Sequence, residues 1–505
     1  MGEDITGTGT EPVVGPVIER VSEAEPVVGP VTEQVFEAEP VVGPVTERVF
    51  EAEPVVGPVI ERVSEAELAV FHDLVGRLRA LPVDDPLRLR AEQVAASFAR
   101  DGRLRRRKAR GAEASAADAA VMAATATGAL DRREDAPLAE AATGGGAGVF
   151  RRPRTCYVCK SPYRQVDAFY HRLCPACAAD NTSRRALSTD LSGRRVLLTG
   201  GRVKIGFQLA LMMLRDGAEV LVTSRFPHDT VRRFRAAPGG AWLDRLTVLA
   251  VDLRDPRQVL GLCEELRAEG EPLDVLVNNA AQTVRRPPES YALLAAREYD
   301  ALPERARRAP GFTSMRMLEG LGGSVSALPA ALREADEAGL LPDPSPENSW
   351  SARLGALDPA EVLETQLVNA LAPALLCDRL LPLLLASPHP RRYVVNVTAV
   401  EGRFAVRRKM PGHPHTNMAK AALNMLTRTS AAELAERGVH MCAVDTGWIT
   451  DENPAPKKAR MAAAGFRTPL DVVDGAARVY DPIVRGEAGD PVSGVFLKDY
   501  REAEW

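Results

Sequence analysis

The stretch from residue 194 to residue 206, RRVLLTGGRVKIG, constrains the fold more than any other part of this 505-residue chain. An apolar run leads into a glycine-rich turn, and an apolar helical pattern, FQLALMMLRDG, follows at once. A strand, a glycine turn and a helix in this order leave free amide N–H groups at a helix N-terminus, where a phosphate can bind. The order therefore predicts a phosphate-binding turn in an α/β fold.

The rest of residues 190–500 alternates short β-branched runs with longer helical patterns. The predicted strands are RRVLLTG, AEVLVTSR, LTVLAVDL, LDVLVNN, RYVVNVTA, VHMCAVDT and PVSGVFLKD. Helical segments separate nearly all of them, which predicts a doubly wound parallel sheet of the Rossmann type. Residues 282–358 are too long for an ordinary connection, and we expect them to form a subdomain or lid over the carboxyl edge of the sheet.

The N-terminal third has a different composition. Four near-copies of a 14-residue unit that begins EPVVGPV fill residues 11–66, and their prolines prevent a continuous helix. We expect residues 1–66 to be a disordered acidic arm, and the functional alternative is docking to a protein partner. Residues 67–110 predict a short helical segment with a basic end, which we interpret as solvated rather than bound to nucleic acid. The Ala/Gly-rich residues 111–150 predict a linker.

Four of the seven cysteines lie in two CxxC pairs within residues 151–185. The pairs are Cys156 with Cys159 and Cys174 with Cys177. Two thiolate pairs at this spacing can close a tetrahedral zinc site. We therefore predict a small zinc-ribbon-like module that holds a structural zinc ion, and the alternative is a redox dithiol pair.

Composition indicates the cellular compartment in which the protein is found. A net charge of −4 and a hydrophobic content of 45% are typical of a soluble protein, and no uninterrupted apolar run has the length of a membrane span. The N-terminus lacks the basic-then-apolar pattern of a secretory signal. Free cysteines suit a reducing compartment. We expect a cytoplasmic protein without a membrane or nucleic-acid partner.

The region from about 190 to 500 resembles the short-chain dehydrogenase/reductase family, whose motifs occur here in the family's order. TGGRVKIG is similar to the TGxxxGxG turn, VDLRD to the segment that holds the adenine, and NNAA to NNAG. AVDTGWITD lies where the family has PGxVxT against the nicotinamide. The resemblance implies cofactor contacts from Gly200, Arg202, Lys204, Ile205, Gly206, Ser224, Arg225, Asp252, Leu253, Asn279, Ala280, Lys420 and Ile449.

The charges around the turn indicate which dinucleotide would bind. A cofactor with only ribose hydroxyls calls for an acidic residue after the second strand, but this strand ends in Thr223-Ser224-Arg225. Arg225 is placed to meet a 2′-phosphate, and Arg202 and Lys204 add positive charge in the preceding turn. We expect NADP(H) to bind in preference to NAD(H); the alternative is that Arg225 is only a surface residue at a strand end.

The same resemblance places Asn369, Thr416 and Lys420 at catalytic positions. Thr416 stands where the family has its tyrosine, and Ala399 stands where it has a serine. An aliphatic hydroxyl is a far weaker acid than a phenol, whose pKa is about 10. The proton would therefore come from another group, and the candidates are His413, His415, Tyr291 and Tyr299.

These motifs imply an NADP(H)-dependent oxidoreductase that transfers hydride to or from a carbonyl or activated double bond of a small-molecule substrate. Two alternatives stay open: a catalytically inactive NADP(H)-binding sensor or scaffold, and non-redox chemistry with a bound cofactor. The aromatic C-terminal tail, GVFLKDYREAEW, either closes the site or packs in a homo-oligomer interface.

Overall fold

The computed structural model describes residues 63–139, 145–240, 242–314, 335–406 and 409–505. The 14-residue repeats and the predicted acidic arm lie outside these ranges, apart from the last residues of the arm. The chain divides into two compact units, residues 1–94 and 95–505.

Two helices follow the arm. Helix α1 spans Glu65–Ala80 and begins at a capping box formed by Ser64 and Glu67. Helix α2 spans Pro86–Ala123 and thus continues beyond residue 110, where we expected the helical segment to end.

The predicted linker, residues 111–150, is wrong over its described parts, residues 111–139 and 145–150. Its first part continues α2, because alanine favours the helix more than any other residue. Its next part is anchored by Arg132, whose guanidinium donates to the carbonyl oxygens of Thr468 and Leu470 at 2.7 and 2.6 Å. Its last residues form the start of strand β1. A composition that is typical of linkers therefore forms ordered structure here.

The cysteine-rich segment folds as a hairpin and a helix. Strands β1 (Gly146–Thr155) and β2 (Pro162–Asp167) are antiparallel, and helix α3 spans Pro175–Arg185. The buried core of this module comprises Phe150, Cys156, Tyr163, Val166, Phe169, Tyr170, Leu173 and Ala178, and it continues into Ile449, Leu470 and Val472. The Arg185 guanidinium lies 2.6 Å from Asp471 and 3.1 Å from Asp474. The module is thus built onto the main sheet domain.

The main sheet has nine strands among the described residues. They are β3 (Arg195–Leu198), β4 (Glu219–Ser224), β5 (Leu246–Ala250), β6 (Val275–Asn278), β7 (Ala306–Arg308), β8 (Arg392–Thr398), β9 (Val439–Asp445), β10 (Phe496–Lys498) and β11 (Arg501–Ala503). Their spatial order is β11-β10-β9-β8-β6-β3-β4-β5-β7, and every neighbouring pair is parallel except β10 with β11. The predicted doubly wound parallel sheet is confirmed.

Helices cover both faces of this sheet. They are α4 (Lys204–Arg215), α5 (Pro227–Ala236), α6 (Pro256–Glu269), α7 (Ala292–Ala295), α8 (Pro359–Gln366), α9 (Ala372–Ala386), α10 (Pro414–Glu436), α11 (Ala455–Ala463) and α12 (Val472–Glu487). One apolar core joins α4, α5 and α12 to the sheet, and another joins α6, α9 and the end of α10 to the opposite face. Strand β3 pairs with both β4 and β6, so the chain reverses direction across the sheet beside the glycine turn.

The helical run Pro359–Ala386 is long and apolar enough to span a membrane by length and composition. In this fold it supplies Leu376 and Leu380 to the core beneath α6, and both leucines are fully buried. We interpret the run as a core helix.

The insertion at residues 282–358 contributes β7, which extends the sheet beside β5. Sequence analysis did not predict this strand, because Ala306–Arg308 has no apolar run. The described part of the insertion also lines a cleft of about 1410 Å³.

Candidate active site

The glycine turn and the NNAA segment are fixed to each other by hydrogen bonds. The Thr199 hydroxyl accepts from the backbone N–H groups of Asn279 and Ala280, at 2.9 Å each. The Asn279 side-chain amide donates to the carbonyl oxygens of Thr199 and Gly200 at 3.0 and 3.2 Å. The backbone at this edge of the sheet is therefore held in place by its own polar groups.

Two glycines of the turn leave no room for a side chain. Gly200 has a φ of +73°, in the left-handed region that glycine adopts at no steric cost. A Cβ atom on Gly206 would lie 2.2 Å from the Gly200 carbonyl oxygen and 2.6 Å from the Asn279 amide nitrogen. Helix α4 can start this close to β3 only with glycine at position 206.

The N-terminus of α4 has no side-chain cap. Val203 occupies the N-cap position and makes no side-chain hydrogen bond, whereas Asp255, Asp358 and Asp471 cap α6, α8 and α12. The first-turn amides of a helix have no partner within the helix. At α4 they remain available to an anion, as the sequence predicts. Ile205, in the same turn, contacts Gly475 of α12 and packs beside Ile449.

Two of the three predicted phosphate-binding cations are paired with carboxylates. The Lys204 ammonium lies 2.9 Å from Asp135 and 3.8 Å from Glu452. Burial lowers its pKa, but the two carboxylates outweigh burial and hold the pKa above its usual value. The Arg202 guanidinium lies 2.7 Å from Asp229, which is in the first turn of α5. The phosphate roles predicted for Lys204 and Arg202 thus compete with internal ion pairs that join segments distant in sequence.

Arg225 differs from those two residues. Its guanidinium lies over the rings of Phe226 and Tyr291, at 5.6 and 5.3 Å from their centres, and it lines the cleft. Among the described residues it makes no ion pair. The positive charge predicted to meet a 2′-phosphate is therefore available at this residue.

The other residues predicted at the adenine end lie at the ends of β4 and β5. The buried Ser224 hydroxyl accepts from Thr230 at 2.8 Å, and Leu253 is buried in the core. The Asp252 carboxylate accepts from the Arg254 guanidinium at 2.6 Å. Burial raises the pKa of Asp252, but Arg254 and Arg225 lower it more, so that the pKa is below its usual value. Asp252 is an ionised, paired carboxylate.

Asn369 lies in a π-helical turn, Leu367–Leu371, between α8 and α9. Its side-chain oxygen accepts from the backbone N–H of Gln282 at 2.7 Å, and its amide donates to the Gln282 carbonyl at 2.9 Å. Such turns are frequent at functional sites. Both ends of the fully buried Asn369 side chain thus support the backbone that follows NNAA.

Lys420 and Thr416 lie one turn apart on α10. The Lys420 ammonium is buried and donates to the Val397 carbonyl of β8 at 2.9 Å. Burial lowers its pKa to about 8, and the opposing effect of Glu401 is smaller. The buried Thr416 hydroxyl has no hydrogen-bond partner among the described residues. Ala399, in place of a serine, follows β8 directly.

The four candidate proton sources lie in different surroundings. His415 is fully buried, and neither ring nitrogen is hydrogen-bonded within the described part of the chain; its Nε2 lies 3.6 Å from Glu361. His413 stacks on Trp350 at 3.8 Å. Tyr291 stacks on Phe226 and lines the cleft, and Tyr299 lies beside His228.

Glu361 was missed by sequence analysis. It lines the cleft on α8, and its Oε1 has no hydrogen-bond partner among the described residues. An acidic residue in the first turn of a helix carries no pattern that would have indicated its meeting with His415.

Tyr291 and Glu361 line the cleft, whereas Asn369, Thr416, Lys420 and the histidines at positions 413 and 415 do not. Its charged and polar lining includes Arg225, Arg254, Gln282, Arg285, Tyr291, Asp358, Glu361, Glu364 and Lys457. It therefore extends from the strand end at Arg225 to the Glu361 carboxylate beside His415.

The sulfur atoms of Cys156, Cys159, Cys174 and Cys177 all lie within 4.8 Å of one another. The Cys159 and Cys174 sulfurs are 3.7 Å apart, close to the separation of about 3.8 Å between two ligands of a tetrahedral zinc ion with Zn–S bonds of about 2.3 Å. The predicted cysteine set is therefore assembled with a geometry that fits one zinc ion.

This module also contacts the segment predicted to face the nicotinamide. The backbone N–H of Trp448 donates to the Tyr157 hydroxyl at 2.9 Å, and Ile449 is buried in the module's core. Tyr157 was not identified as a functional residue from the sequence.

The fold and the turn together define a doubly wound α/β protein with a Rossmann-type phosphate-binding edge. Two family models match the chain: "short chain dehydrogenase" over residues 194–300 and "Enoyl-(Acyl carrier protein) reductase" over residues 345–470. The chain belongs to the short-chain dehydrogenase/reductase family.

Individual proteins and solved structures are similar to parts of this chain. "Uncharacterized protein R665" of Acanthamoeba polyphaga mimivirus is 31% identical over 346 residues, which cover 65% of this chain and 71% of that protein. A "Probable oxidoreductase" of Streptomyces antibioticus is 40% identical over 93 residues, 18% of this chain and 30% of that protein. A short-chain dehydrogenase from Burkholderia cenocepacia J2315, solved in complex with NADP, is 22% identical with a TM-score of 0.41, covering 61% of this chain and 97% of that one.

Proposed function

We propose that the protein is an NADP(H)-dependent oxidoreductase that transfers hydride to or from a carbonyl or activated double bond of a small-molecule substrate. The observation that carries this proposal is the buried ammonium of Lys420 on α10, which donates to β8 near the sheet edge where Asn369 supports the backbone after NNAA. Both groups are held without a ligand, which favours a preorganised reactive site.

The residues at this edge fit a dinucleotide. The uncapped first turn of α4 would receive the pyrophosphate, Asp252 and Leu253 the adenine, and Arg225 the 2′-phosphate. Asn279 and Ala280 would lie beside the ribose-bearing part, Lys420 would hold the nicotinamide ribose, and Ile449 would face the nicotinamide ring. The bound nicotinamide supplies the hydride chemistry.

The preference for NADP(H) rests mainly on Arg225, because Arg202 and Lys204 are neutralised by their carboxylate partners. We expect Arg225→Ala to weaken NADPH binding about 10- to 30-fold and to leave NADH binding unchanged, since one charge-assisted contact to phosphate contributes about 1.5–2 kcal/mol. Isothermal titration with both cofactors measures this. Arg257→Ala, at a side chain that is 90% exposed on α6, is the matched control. Tighter binding of NADH to the unaltered protein would contradict the assignment.

A group other than Thr416 must exchange the proton that accompanies hydride transfer, because an aliphatic hydroxyl is too weak an acid. His415 and Glu361 are the pair that the surroundings favour, because both have unbonded buried atoms and Glu361 lines the cleft. We propose that a proton passes between the cleft and His415 through Glu361. General acid catalysis of this kind contributes about 100- to 10,000-fold.

Hydride transfer is tested by following NADPH absorbance with a panel of aldehydes, ketones and enones. Lys420→Ala should abolish turnover although the variant still binds NADPH, and His415→Gln should lower kcat and change its pH profile. If Lys420→Ala turns over as fast as the unaltered protein, the catalytic role of Lys420 is wrong; absence of turnover by the unaltered protein would contradict the oxidoreductase proposal itself.

A second candidate function is an NADP(H)-binding sensor without catalysis. It is favoured by Ala399 and Thr416, which lack the serine and tyrosine chemistry of the family. NADPH binding without turnover of any substrate in the panel would support it.

We also propose that Cys156, Cys159, Cys174 and Cys177 hold one structural zinc ion. The support is the mutual approach of their sulfur atoms. Four thiolates fill a tetrahedral zinc ion and leave no position for a substrate. Elemental analysis of the purified chain should give one zinc per protein, and retention of zinc by Cys159→Ser and Cys174→Ser would contradict this.

A further inference from the structure

We propose that the cysteine module is a working part of the cofactor site: with a metal bound to its four cysteines, Tyr157 fixes the backbone of residues 447–449 against the nicotinamide. Metal occupancy would then set the affinity for NADP(H). This inference rests on the proposed function, and it adds a positioning residue and a metal-dependent control to that site.

The contact that links the two parts is direct. The Trp448 backbone N–H donates to the Tyr157 hydroxyl at 2.9 Å. The Arg172 guanidinium, from the same module, lies over the Trp448 indole at 5.7 Å. The backbone N–H of Tyr157 in turn donates to the Arg172 carbonyl at 2.8 Å, so both contacts come from one small unit.

The segment held in this way has little room to move. Gly447 has a φ of +83°, and a Cβ atom there would lie 2.7 Å from Leu470 and 3.6 Å from the Tyr157 hydroxyl. Ile449 is buried beside Leu470, and its carbonyl accepts from the Thr468 hydroxyl at 2.9 Å. The module and the residues around Leu470 thus enclose the segment from both sides.

Metal binding by the four cysteines would fix the position of Tyr157. Tyr157 lies inside the first CxxC pair, and the second pair lies at the start of α3, which is anchored by Arg185 to Asp471 and Asp474. A metal ion would join the first pair to this anchored helix. Without the ion, no metal–sulfur bonds join the first cysteine pair to the anchored helix, so Tyr157 loses part of its support.

A merely structural module would behave differently. Its loss would lower the melting temperature of the whole domain, whereas removal of one hydroxyl from Tyr157 would change neither the metal content nor the fold. The coupling proposed here requires that loss of the hydroxyl weakens NADPH binding while melting temperature and metal content stay constant.

The test uses the full chain and measures NADPH affinity by isothermal titration, zinc content by elemental analysis and the melting temperature. Tyr157→Phe should keep its zinc and its melting temperature and bind NADPH about five- to tenfold more weakly, because the Trp448 backbone N–H loses its acceptor and the segment it belongs to is no longer fixed. Tyr163→Phe is the matched control: its hydroxyl donates to the His171 carbonyl within the module at 2.7 Å, and NADPH affinity should not change.

Chelation provides the second arm. Zinc removal from the unaltered protein should weaken NADPH binding at least as much as Tyr157→Phe does. Zinc removal from Tyr157→Phe should then weaken NADPH binding little further, because this variant has already lost the hydrogen bond to Trp448. Unchanged NADPH affinity in Tyr157→Phe, or effects of the hydroxyl and of zinc that simply add, would overturn the inference. Absence of NADPH binding by the unaltered zinc-loaded protein would instead contradict the proposed function.

Discussion

Two sets of buried polar side chains lie at the same edge of the sheet, and they differ in their hydrogen bonding. Around the glycine turn, Thr199 and Asn279 use their side-chain groups to bond the backbone of β3 and NNAA. On α8 and α10, atoms of Glu361, His415 and Thr416 are buried without any hydrogen bond among the described residues. The first set fixes the backbone at the proposed cofactor-binding edge, and the second set has polar atoms that a ligand or a proton could bond.

The difference has an energetic meaning. A buried polar group without a partner costs about 1–3 kcal/mol, whereas a satisfied one contributes about 1 kcal/mol. Substitutions in the turn should therefore lower the free energy of unfolding of the protein. Substitutions of the buried polar side chains on α10 should raise it. Strain or unsatisfied polarity of this kind is typical of functional sites.

The largest effect is expected at the turn. Gly206→Ala places a methyl group 2.2 Å from the Gly200 carbonyl oxygen, and backbone cannot yield as a flexible side chain would. We expect a loss of about 3 kcal/mol or more in the free energy of unfolding, together with loss of NADPH binding. Urea unfolding and titration measure both. Gly240→Ala, where nothing lies within 4 Å, should change neither quantity.

The next effect has the opposite sign and lies in the second region. Lys420 has a pKa of about 8 when folded, against 10.5 when unfolded, because burial disfavours its charge. Lys420→Met should therefore raise the free energy of unfolding by about 2–3 kcal/mol at pH 7, while hydride transfer is lost.

The pH dependence of that gain provides its check. Below pH 8 both states bind the proton, so the full penalty applies; between pH 8 and pH 10.5 the unfolded state binds more protons, and the unaltered protein becomes more stable as the pH rises. The advantage of Lys420→Met should shrink over this range in urea unfolding curves. If the difference in free energy of unfolding between the variant and the unaltered protein stays constant over this range, the pKa of Lys420 is not lowered by folding.

A smaller loss is expected at the centre of the sheet. Asn396 on β8 accepts from the Asn278 side chain at 2.8 Å and donates to Thr427 at 2.9 Å. Asn396→Ala should lower the free energy of unfolding by about 2 kcal/mol, because it leaves buried partners unbonded. Asn424→Ala is the matched control, since its amide atoms have no partner among the described residues and its removal should cost less. If Asn396→Ala and Asn424→Ala lower the free energy of unfolding equally, hydrogen-bonded and unbonded buried side chains do not differ in their contribution to stability.

The smallest effect is expected at His415. His415→Phe removes two buried ring nitrogens that have no hydrogen bond among the described residues, and it should raise the free energy of unfolding by about 1 kcal/mol. Thermal unfolding measures this change, and the NADPH assay should show lower turnover. A clear loss of stability would mean that the imidazole is a structural group, and the proton route through Glu361 would then be wrong.

The sequence pattern was sufficient for the main sheet and the turn. Strands such as β3 and β8 are apolar runs bounded by turns, and this pattern depends on local burial alone. Strand β7 was missed because its edge position leaves it exposed and polar, and the linker at residues 111–150 was wrong because alanine is common both in linkers and in helices.

The site was predicted less completely, for a different reason. The resemblance indicated which positions form the edge, but the partners of Arg202 and Lys204 are Asp229 and Asp135, which no local pattern connects to the turn. The meeting of His415 with Glu361 and of Tyr157 with Trp448 likewise depends on tertiary packing. Contacts between residues that are far apart in the sequence leave no periodic pattern, so the sequence alone does not predict them.

The anchoring of the cysteine module on the start of α12 also has a consequence for biosynthesis. Arg185 and its partner Asp471 are separated by 286 residues, so a ribosome that adds about 5–20 residues per second needs roughly 15–60 s to produce the second after the first. During this interval the module's apolar face, later covered by Ile449, Leu470 and Val472, is exposed to water. The proposed metal ion could bind the cysteines before docking, and the order of translation would then load the module before the start of α12 is made.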